Sequence, residues 1–145
     1  MPGIIVGIDG SAHSAQALEW AIKQGARQHA AVTVITVNSV PASPWSGNPL
    51  LLAQDPGELE KMRQAAEEMT VKVTSQLGEA RPESMTVRAV NGFPSKELID
   101  ASRDADLLVV GSRGAGGFAR LMVGSTSDQV VHHAHCPVVV VPGDR

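Results

Sequence analysis

The sequence predicts an α/β fold in which a five-stranded parallel sheet of order 3-2-1-4-5 carries helices on both faces. Short apolar runs alternate along the chain with segments of helical periodicity, and two of the predicted strand ends carry glycine and polar residues. Strands that alternate with helices form parallel sheets with right-handed crossovers. Hydrophobic residues make up 43% of the 145 residues. That content is enough for one hydrophobic core, so we expect a single domain over residues 1–145.

The first part of the chain predicts a strand, a helix and a second strand. Residues 3–8 form a continuous apolar run, which is typical of a strand buried on both faces. Apolar residues then recur at helical spacing over residues 12–28, and Ser11 is a suitable N-cap for that helix. The β-branched segment 31–37 predicts the second strand, which we expect to end at Asn38.

Residues 39–57 contain four prolines and two glycines, which predicts a long loop. Trp45 and the three leucines at 50–52 either pack as an apolar cluster over the sheet edge or form a lid over a ligand. A long helix with one apolar face follows over residues 58–77, and we expect Gly78 to end it.

The third strand is predicted over residues 84–90, which alternate in polarity and are more polar than the other strands, as at a sheet edge. Asn91-Gly92 predicts a turn. A helix then runs over residues 93–102, with Pro94 in the first turn, where proline is tolerated. The fourth strand is expected over residues 105–110.

The last helix is expected from Ser125 or Thr126 to about residue 134, and the fifth strand over residues 137–141. In the order 3-2-1-4-5 this strand is an edge, yet it is as apolar as an interior strand. We therefore expect Val138 to Val141 to pair with the same strand of a second copy in a homodimer.

The strand order follows from where the polar strand ends lie. Such sheets commonly have the order 2-1-3-4-5 or 3-2-1-4-5, and ligands bind where the order reverses. The polar, glycine-bearing ends follow strand 1, at Asp9-Gly10-Ser11, and strand 4, at Gly111. The order 3-2-1-4-5 makes strands 1 and 4 neighbours, so we expect Asp9 and Gly111 to face one crevice.

A glycine-punctuated segment after strand 4 is the main candidate for a binding site. It reads Gly111-x-x-Gly114, nine residues, then Gly124-Ser125-Thr126. Glycines let a ligand approach the backbone closely, and a helix that opens at Ser125 or Thr126 presents unpaired N–H groups and a partial positive charge. This combination suits a polyphosphate. The alternative is a flexible loop followed by an ordinary N-cap.

Other candidates adjoin this segment. The Asp9 carboxylate is either a turn residue beside Gly10 or a group that accepts a hydrogen bond from a ribose or base, or lies near a phosphate-bound Mg²⁺. Ser11 serves as an N-cap at a helix end that also faces the crevice. Val37 either packs in the core or offers backbone groups to a flat base. Arg113 either counters a phosphate or is an exposed loop arginine.

Several classes of site are not supported. The chain lacks the P-loop motif G-x-x-x-x-G-K-[ST] and lacks G-x-G-x-x-G after strand 1, and no assembled catalytic base is evident. His132, His133, His135 and Cys136 resemble a metal-ligand cluster, but they fall at a helix end before a buried strand. Imidazoles are favoured there electrostatically, so we interpret the cluster as structural and expect no metal held by protein side chains.

The composition also limits the partners. The formal net charge is −3, so binding to a nucleic acid or an anionic membrane is not favoured. The start of the chain runs directly into a strand, and no stretch approaches the length of a membrane span. Cys136 is the only cysteine and fits a reducing compartment. We therefore expect a cytoplasmic protein.

Four segments resemble the universal stress protein family: Val6-Gly-Ile-Asp-Gly-Ser11, Val109-Val-Gly-Ser-Arg-Gly114, Gly124-Ser-Thr-Ser-Asp128 and His135-Cys-Pro-Val-Val-Val-Val-Pro142. The resemblance covers essentially the whole chain and implies a Rossmann-like fold similar to the adenine nucleotide alpha hydrolases. The spacing G-x2-G-x9-G-[ST] resembles the family's ATP-binding signature. Family members that keep these glycines bind ATP and hydrolyse it poorly or not at all. This chain departs slightly from the family at Ser125-Thr126-Ser127, where an apolar residue usually follows Gly-Ser.

The predicted site therefore binds ATP, with Mg²⁺ as a possible companion near Asp9 and the phosphates. Its residues are Asp9, Ser11, Val37, Gly111, Ser112, Arg113, Gly114, Gly124, Ser125, Thr126 and Ser127. The function that follows is a nucleotide-dependent stress-response or regulatory module with no catalytic residue. Two alternatives remain open. One is a slow ATPase or an enzyme that phosphorylates itself, for example on Ser125, and the other is an interaction module that binds a cyclic nucleotide or no ligand.

Overall fold

The computed structural model describes residues 3–39, 56–112 and 125–142. Within these ranges the chain forms the elements β1 (Ile4–Ile8), α1 (Ala12–Gln28), β2 (Ala31–Ser39), α2 (Pro56–Ser75), β3 (Ser84–Gly92), α3 (Pro94–Ala101), β4 (Leu107–Gly111), α4 (Ser125–His133) and β5 (Val138–Val141). A short 3-10 turn, Ser102–Asp104, connects α3 to β4. Trp45 and the leucines at 50–52, for which we expected either a lid or an apolar cluster, lie outside the described residues.

The five strands form one parallel sheet of order β3-β2-β1-β4-β5, which confirms the predicted topology. The strand order reverses between β1 and β4, because β1 pairs with β2 on one side and with β4 on the other. β3 and β5 are the two edges. The carboxyl ends of all five strands lie along one edge of the sheet, and the candidate site is located there.

Two apolar clusters cover the two faces of the sheet. The larger one joins α1 and α2 to the sheet and includes Val6, Leu18, Ile22, Val34 and Val109, all fully buried. The smaller one lies under α3 and α4 and includes Ile35, Leu98, Leu108, Val110 and Val130. Alternate residues of each strand supply the two clusters, as the pleat requires.

The first strand is less completely enclosed than its apolar run predicts. Ile4, Val6 and Ile8 are buried on the α1 side, whereas Ile5 and Gly7 are half-buried. A Cβ atom on Gly7 would lie 2.7 Å from Cδ1 of Leu98, so the glycine allows α3 to pack directly on β1. Helix α3 thus packs against β1 through Leu98 and also contacts β2, and α4 lies beside it on the same face.

The predicted turn at Asn91-Gly92 is wrong, because both residues belong to β3. They pair with Asn38 and Ser39, which extend β2 two residues beyond its predicted end. Nδ2 of Asn38 donates a hydrogen bond to Oδ1 of Asn91 at 3.0 Å, so the two side chains link the ends of the strands. Parallel pairing here overrides the local turn preference of the Asn-Gly dipeptide.

Smaller boundary differences have local causes. Helix α2 begins at Pro56 and ends at Ser75, and Gly78, with φ of 82°, follows it in a left-handed conformation. Strand β4 begins at Leu107, two residues later than expected, because the 3-10 turn extends to Asp104. Strand β5 begins at Val138 and not at Pro137.

The buried hydroxyl of Ser102 joins the end of α3 to the connection between α4 and β5. It donates to the Ile99 carbonyl at 2.6 Å and accepts from the His135 backbone N–H at 2.9 Å. Ser102 is fully buried. One side chain therefore satisfies two polar backbone groups on the α3 and α4 side of the sheet.

Candidate functional site at the carboxyl ends of β1 and β4

The ends of β1 and β4 are adjacent. Their register pairs Ile4 with Leu107 and Val6 with Val109, so Asp9 and Gly111 leave the sheet at the same edge. Gly111 pairs with Val141 of β5, and the N–H of Ser112 donates to the Val141 carbonyl at 2.9 Å. The exit of β4 is thus anchored to β5 before the chain enters the glycine-rich segment.

The turn after β1 is held by the Asp9 carboxylate. Its Oδ1 atom accepts hydrogen bonds from the backbone N–H of Ser11 at 2.9 Å and from the Ser11 hydroxyl at 2.6 Å. Gly10 has φ of 85°, a conformation that costs other residues energy. Asp9 is exposed, and its second oxygen, Oδ2, has no hydrogen-bond partner among the residues that the structure describes. The carboxylate therefore shapes the turn and keeps one oxygen toward solvent.

Ser11 caps α1, as the sequence predicts. Its hydroxyl oxygen accepts from the Ser14 N–H at 3.3 Å, and the Ser14 hydroxyl donates to the Ser11 carbonyl at 2.8 Å. The first turn of α1 contains no acidic residue. The partial positive charge of this helix end is consequently not neutralised within its own first turn.

His13, in the first turn of α1, was not singled out in the sequence. Its Nδ1 atom is the one buried side-chain nitrogen or oxygen in the described parts of the chain that has no hydrogen bond. Such an atom is costly unless a partner satisfies it. No sequence pattern distinguishes this histidine from an ordinary helix residue, so only the structure identifies it.

Helix α4 begins at Ser125, within the expected pair of starting positions. Thr126 is half-buried and Ser127 is buried, so Ser127 contributes to the packing of the first turn. Asp128 also lies in this turn and is exposed. Its charge stabilises the helix and offsets part of the positive charge at the helix end. Arg113, Gly114 and Gly124 lie outside the described residues.

Val37 lies one residue beyond the last pairing of β2 with β1, which is Ile8 with Thr36. It pairs with Val90 of β3 and packs against the smaller apolar cluster. The ends of β2 and β3 therefore project past β1 on one side of the β1–β4 junction. Val37 has a packing role in this wall and also borders the edge where the candidate site lies.

The histidines near the end of α4 have local partners. Nδ1 of His132 lies 2.8 Å from the Asp128 carbonyl oxygen, and the His135 backbone is bound by Ser102. Burial, with a smaller contribution from Asp106, raises the pKa of the Cys136 thiol above its ordinary value. Across residues 3–39, 56–112 and 125–142, no group of three or more His, Cys, Asp or Glu side chains is placed to hold a metal ion.

None of the helices within the described ranges combines the length and the apolar character that a membrane crossing requires.

Comparison with known proteins identifies close similarity over nearly the full chain. Residues 2–142 match the Universal stress protein family. A universal stress protein of Mycolicibacterium smegmatis is 35% identical over 142 residues, which cover 98% of this chain and 48% of that protein. The chain thus spans about half the length of this relative.

Solved structures show the same architecture. The universal stress protein UspA from Lactobacillus plantarum superposes with a TM-score of 0.78 at 26% identity, covering 97% of each chain. A universal stress protein in complex with cAMP gives a TM-score of 0.66 at 24% identity and covers 97% of this chain and 95% of that one. One from Archaeoglobus fulgidus in complex with dAMP gives 0.61 at 19% identity, with coverage of 97% and 98%.

Proposed function

The chain belongs to the universal stress protein family, and from that premise we propose that it is an ATP-binding regulatory module with little or no hydrolytic activity. The observation that carries the proposal is the meeting of two strand ends at one edge of the sheet, where β1 leads into α1 and β4 leads through the glycine-rich segment toward α4. A helix that follows such a strand end offers N–H donors to phosphate.

The residues at the β1 exit fit an anionic ligand. The first turn of α1 has no acidic residue, and His13 contributes a buried nitrogen without a hydrogen bond. The free Oδ2 of Asp9 is an acceptor for a ribose hydroxyl or a ligand of a phosphate-bound Mg²⁺. We assign Val37 to the base through its backbone, and Ser11, Gly111, Ser112, Thr126 and Ser127 to the borders of the site.

The phosphates are proposed to lie against Arg113, Gly114 and Gly124, which lie outside the described residues, and against Ser125 at the start of α4. Oδ1 of Asp9 already accepts two hydrogen bonds from Ser11 and serves the turn. Because no assembled catalytic base is evident in the sequence, hydrolysis is slow or absent in the proposal.

A second candidate ligand is a nucleoside monophosphate or a cyclic nucleotide. The observation that favours it is that relatives of the same fold have been solved in complex with cAMP and with dAMP. Both ligands share the adenine of ATP, cAMP with its ribose and dAMP with a deoxyribose, but both lack its polyphosphate. The choice between ATP and a monophosphate therefore depends on whether the glycine-rich segment contributes to the affinity for the nucleotide.

We further propose a homodimer formed through β5. The hydrogen bonds from Leu108 N–H to the Pro137 carbonyl and from Ser112 N–H to the Val141 carbonyl fix the side of β5 that faces β4. Because alternate residues of a strand direct their backbone groups to the same side, Val138 and Val140 direct theirs outward. All four valines of β5 are only half-buried in one copy. An apolar edge with free backbone groups is suited to pairing with its own counterpart.

The single-domain organisation of residues 1–145 and a cytoplasmic location are part of the same proposal. The five strands share one sheet and the single cysteine, Cys136, fits a reducing compartment.

The proposal is tested by calorimetric titration of the protein with ATP, AMP and cAMP, repeated on Gly114→Ala and Gly124→Ala. We expect ATP to bind the unmodified chain, and each variant to lose at least about tenfold in ATP affinity, because an added Cβ obstructs close approach of phosphate to the backbone. Gly57→Ala, an exposed glycine in α2, is the matched control and should bind normally.

Equal binding of ATP and AMP that neither glycine variant changes would reject the polyphosphate site and favour the monophosphate. Absence of binding by all three nucleotides would leave only the family's fold and reject the proposed function.

A further inference from the structure

A cavity lies away from the β1–β4 junction. It has a volume of about 220 Å³ and lies between the β2–β3 edge of the sheet and α3, lined by Ile35, Arg88, Val90, Glu97, Asp100 and Ala101. None of these residues belongs to the proposed nucleotide site. Leu98 of α3 packs on β1 at Gly7, and among the described residues the cavity lies where α3 faces β2 and β3.

The floor of the cavity is apolar. Ile35 lies at the base of the cavity, directly beside Arg88 in the register of β2 and β3, and is only 2% exposed, so the half-buried Val90 and Ala101 supply the apolar surface that a ligand contacts. Val90, two residues further along β3, shares this face of the sheet, and Ala101 adds an apolar contact from the helix. Methylene groups placed on this floor would be removed from water.

The walls carry charges of opposite sign. Arg88 stands on β3, whereas Glu97 stands on α3 near the carboxyl end of that strand, because a Cβ on Gly92 would lie 2.7 Å from Oε2 of Glu97. Gly92 is four residues after Arg88, a backbone separation of roughly 13 Å in an extended strand. The two charged residues thus originate at opposite ends of the apolar floor.

Glu97 is the wall carboxylate that remains available. Asp100 is bound to Lys96, whose Nζ lies 2.9 Å from its Oδ2. In the described part of the chain, neither Arg88 nor Glu97 forms a salt bridge or a side-chain hydrogen bond. Within the described residues the cavity lining therefore holds one guanidinium and one carboxylate that have no ion-pair partner.

We propose that this cavity binds a small linear zwitterion, a molecule with a carboxylate for Arg88, an ammonium group for Glu97 and an apolar spacer over Val90 and Ala101. A guanidinium pairs with a carboxylate through two parallel hydrogen bonds, and a carboxylate also accepts charge-assisted hydrogen bonds from an ammonium group. The volume is below the roughly 300 to 1,000 Å³ of sites for drug-sized ligands, which fits a molecule of this size. The ω-amino acids have this arrangement of groups.

The test uses the homologous series from glycine through 4-aminobutyrate to 6-aminohexanoate, titrated into the ¹⁵N-labelled protein without nucleotide. We expect saturable NMR shifts at the amides of Val90, Gly92 and Ala101, with an optimum of affinity at one chain length. Pentanoate and pentylamine each lack one charge and should bind at least about tenfold more weakly than the optimal member. Flat affinity along the series, or no saturable shift at millimolar concentration, overturns the proposal.

Variants identify the contacts. Arg88→Gln and Glu97→Gln should each weaken the optimal ligand about tenfold, because each removes one charged partner. Arg27→Gln, an exposed arginine in the last turn of α1 and outside the cavity lining, is the matched control and should bind like the unmodified chain. Unchanged affinity in both cavity variants contradicts the proposal, as does a direct Arg88–Glu97 ion pair detected in the ligand-free protein. The titration contains no nucleotide, so its result can fail or succeed independently of the proposed nucleotide site.

Discussion

Oδ1 of Asp9 accepts two hydrogen bonds from Ser11, one from the backbone N–H and one from the hydroxyl. The residue that points to the candidate site is therefore also the residue that shapes the entry into α1. Changes at Asp9 will alter both the turn and any ligand contact, and the two effects must be measured separately.

Asp9→Ala removes both bonds, and we expect it to lower the free energy of unfolding by about 1 kcal/mol, since the turn is exposed. Asp9→Asn keeps an acceptor oxygen and should retain most of that stability. Urea denaturation of both variants measures the turn. ATP titration of Asp9→Asn with and without Mg²⁺ then measures the charge, and we expect it to lose the Mg²⁺-dependent part of the affinity. If the ATP affinity of Asp9→Asn depends on Mg²⁺ as strongly as that of the unmodified chain, Asp9 does not bind the metal ion.

Gly10→Ala tests the backbone of the same turn. No atom of the described residues lies within 4 Å of the position that a Cβ would occupy, so no steric clash with them is expected. The φ of 85° alone should cost about 1 kcal/mol of stability. Gly10→Asn, which tolerates the left-handed region better, should lose less, and thermal unfolding compares the two. Equal stability of all three proteins would show that this turn relaxes freely.

Ser102→Ala should be more damaging than any exposed serine substitution. It leaves the His135 N–H without its acceptor and removes one of the donors to the Ile99 carbonyl, and because the Ser102 hydroxyl is fully buried we expect a loss of about 1 to 3 kcal/mol. Ser75 is the matched control, because its hydroxyl makes a similar bond to the Lys72 carbonyl at 2.8 Å but is exposed. Ser75→Ala should change stability by less than about 0.5 kcal/mol in chemical denaturation.

Cys136 should be a slow nucleophile in the folded protein. Burial is the main cause that raises its thiol pKa, and Asp106 raises it further, so the reactive thiolate is depleted at neutral pH. Unfolding in urea should therefore raise the rate at which Cys136 reacts with a disulfide reagent at pH 8. This increase should exceed the change that the same urea concentration causes in the rate for a small-molecule thiol. An equal rate in folded and unfolded protein would contradict this shielding.

The strand order was predictable because the residues that mark the strand ends lie in short, local segments of the sequence. Glycine and polar residues after β1 and β4 mark the reversal of the sheet, and they do so without knowledge of any distant contact. Ser11 was predictable as a cap for the same reason, since capping depends on residues three positions apart.

Features that depend on contacts between distant segments were not predictable. Asn91-Gly92 has a local preference for a turn, but pairing with Asn38 and Ser39 across the sheet determines its conformation. The unpaired nitrogen of His13 and the cavity beside α3 also arise from packing between elements, and no spacing in the sequence encodes either.

The edge strand β5 allows a direct test of the proposed dimer. Backbone groups of Pro137 and Val141 bind β4, whereas those of Val138 and Val140 face outward. Val140→Pro therefore removes an outward N–H and leaves the β4 pairing intact, a position where an edge strand tolerates proline. Light scattering should show a folded monomer for this variant and a dimer for the unmodified chain. Val139→Pro is the control: its N–H faces β4, so it should destabilise the fold itself. If Val140→Pro remains a dimer with unchanged affinity, the copies associate through another surface, since β5 pairing cannot survive the loss of its central donor without weakening.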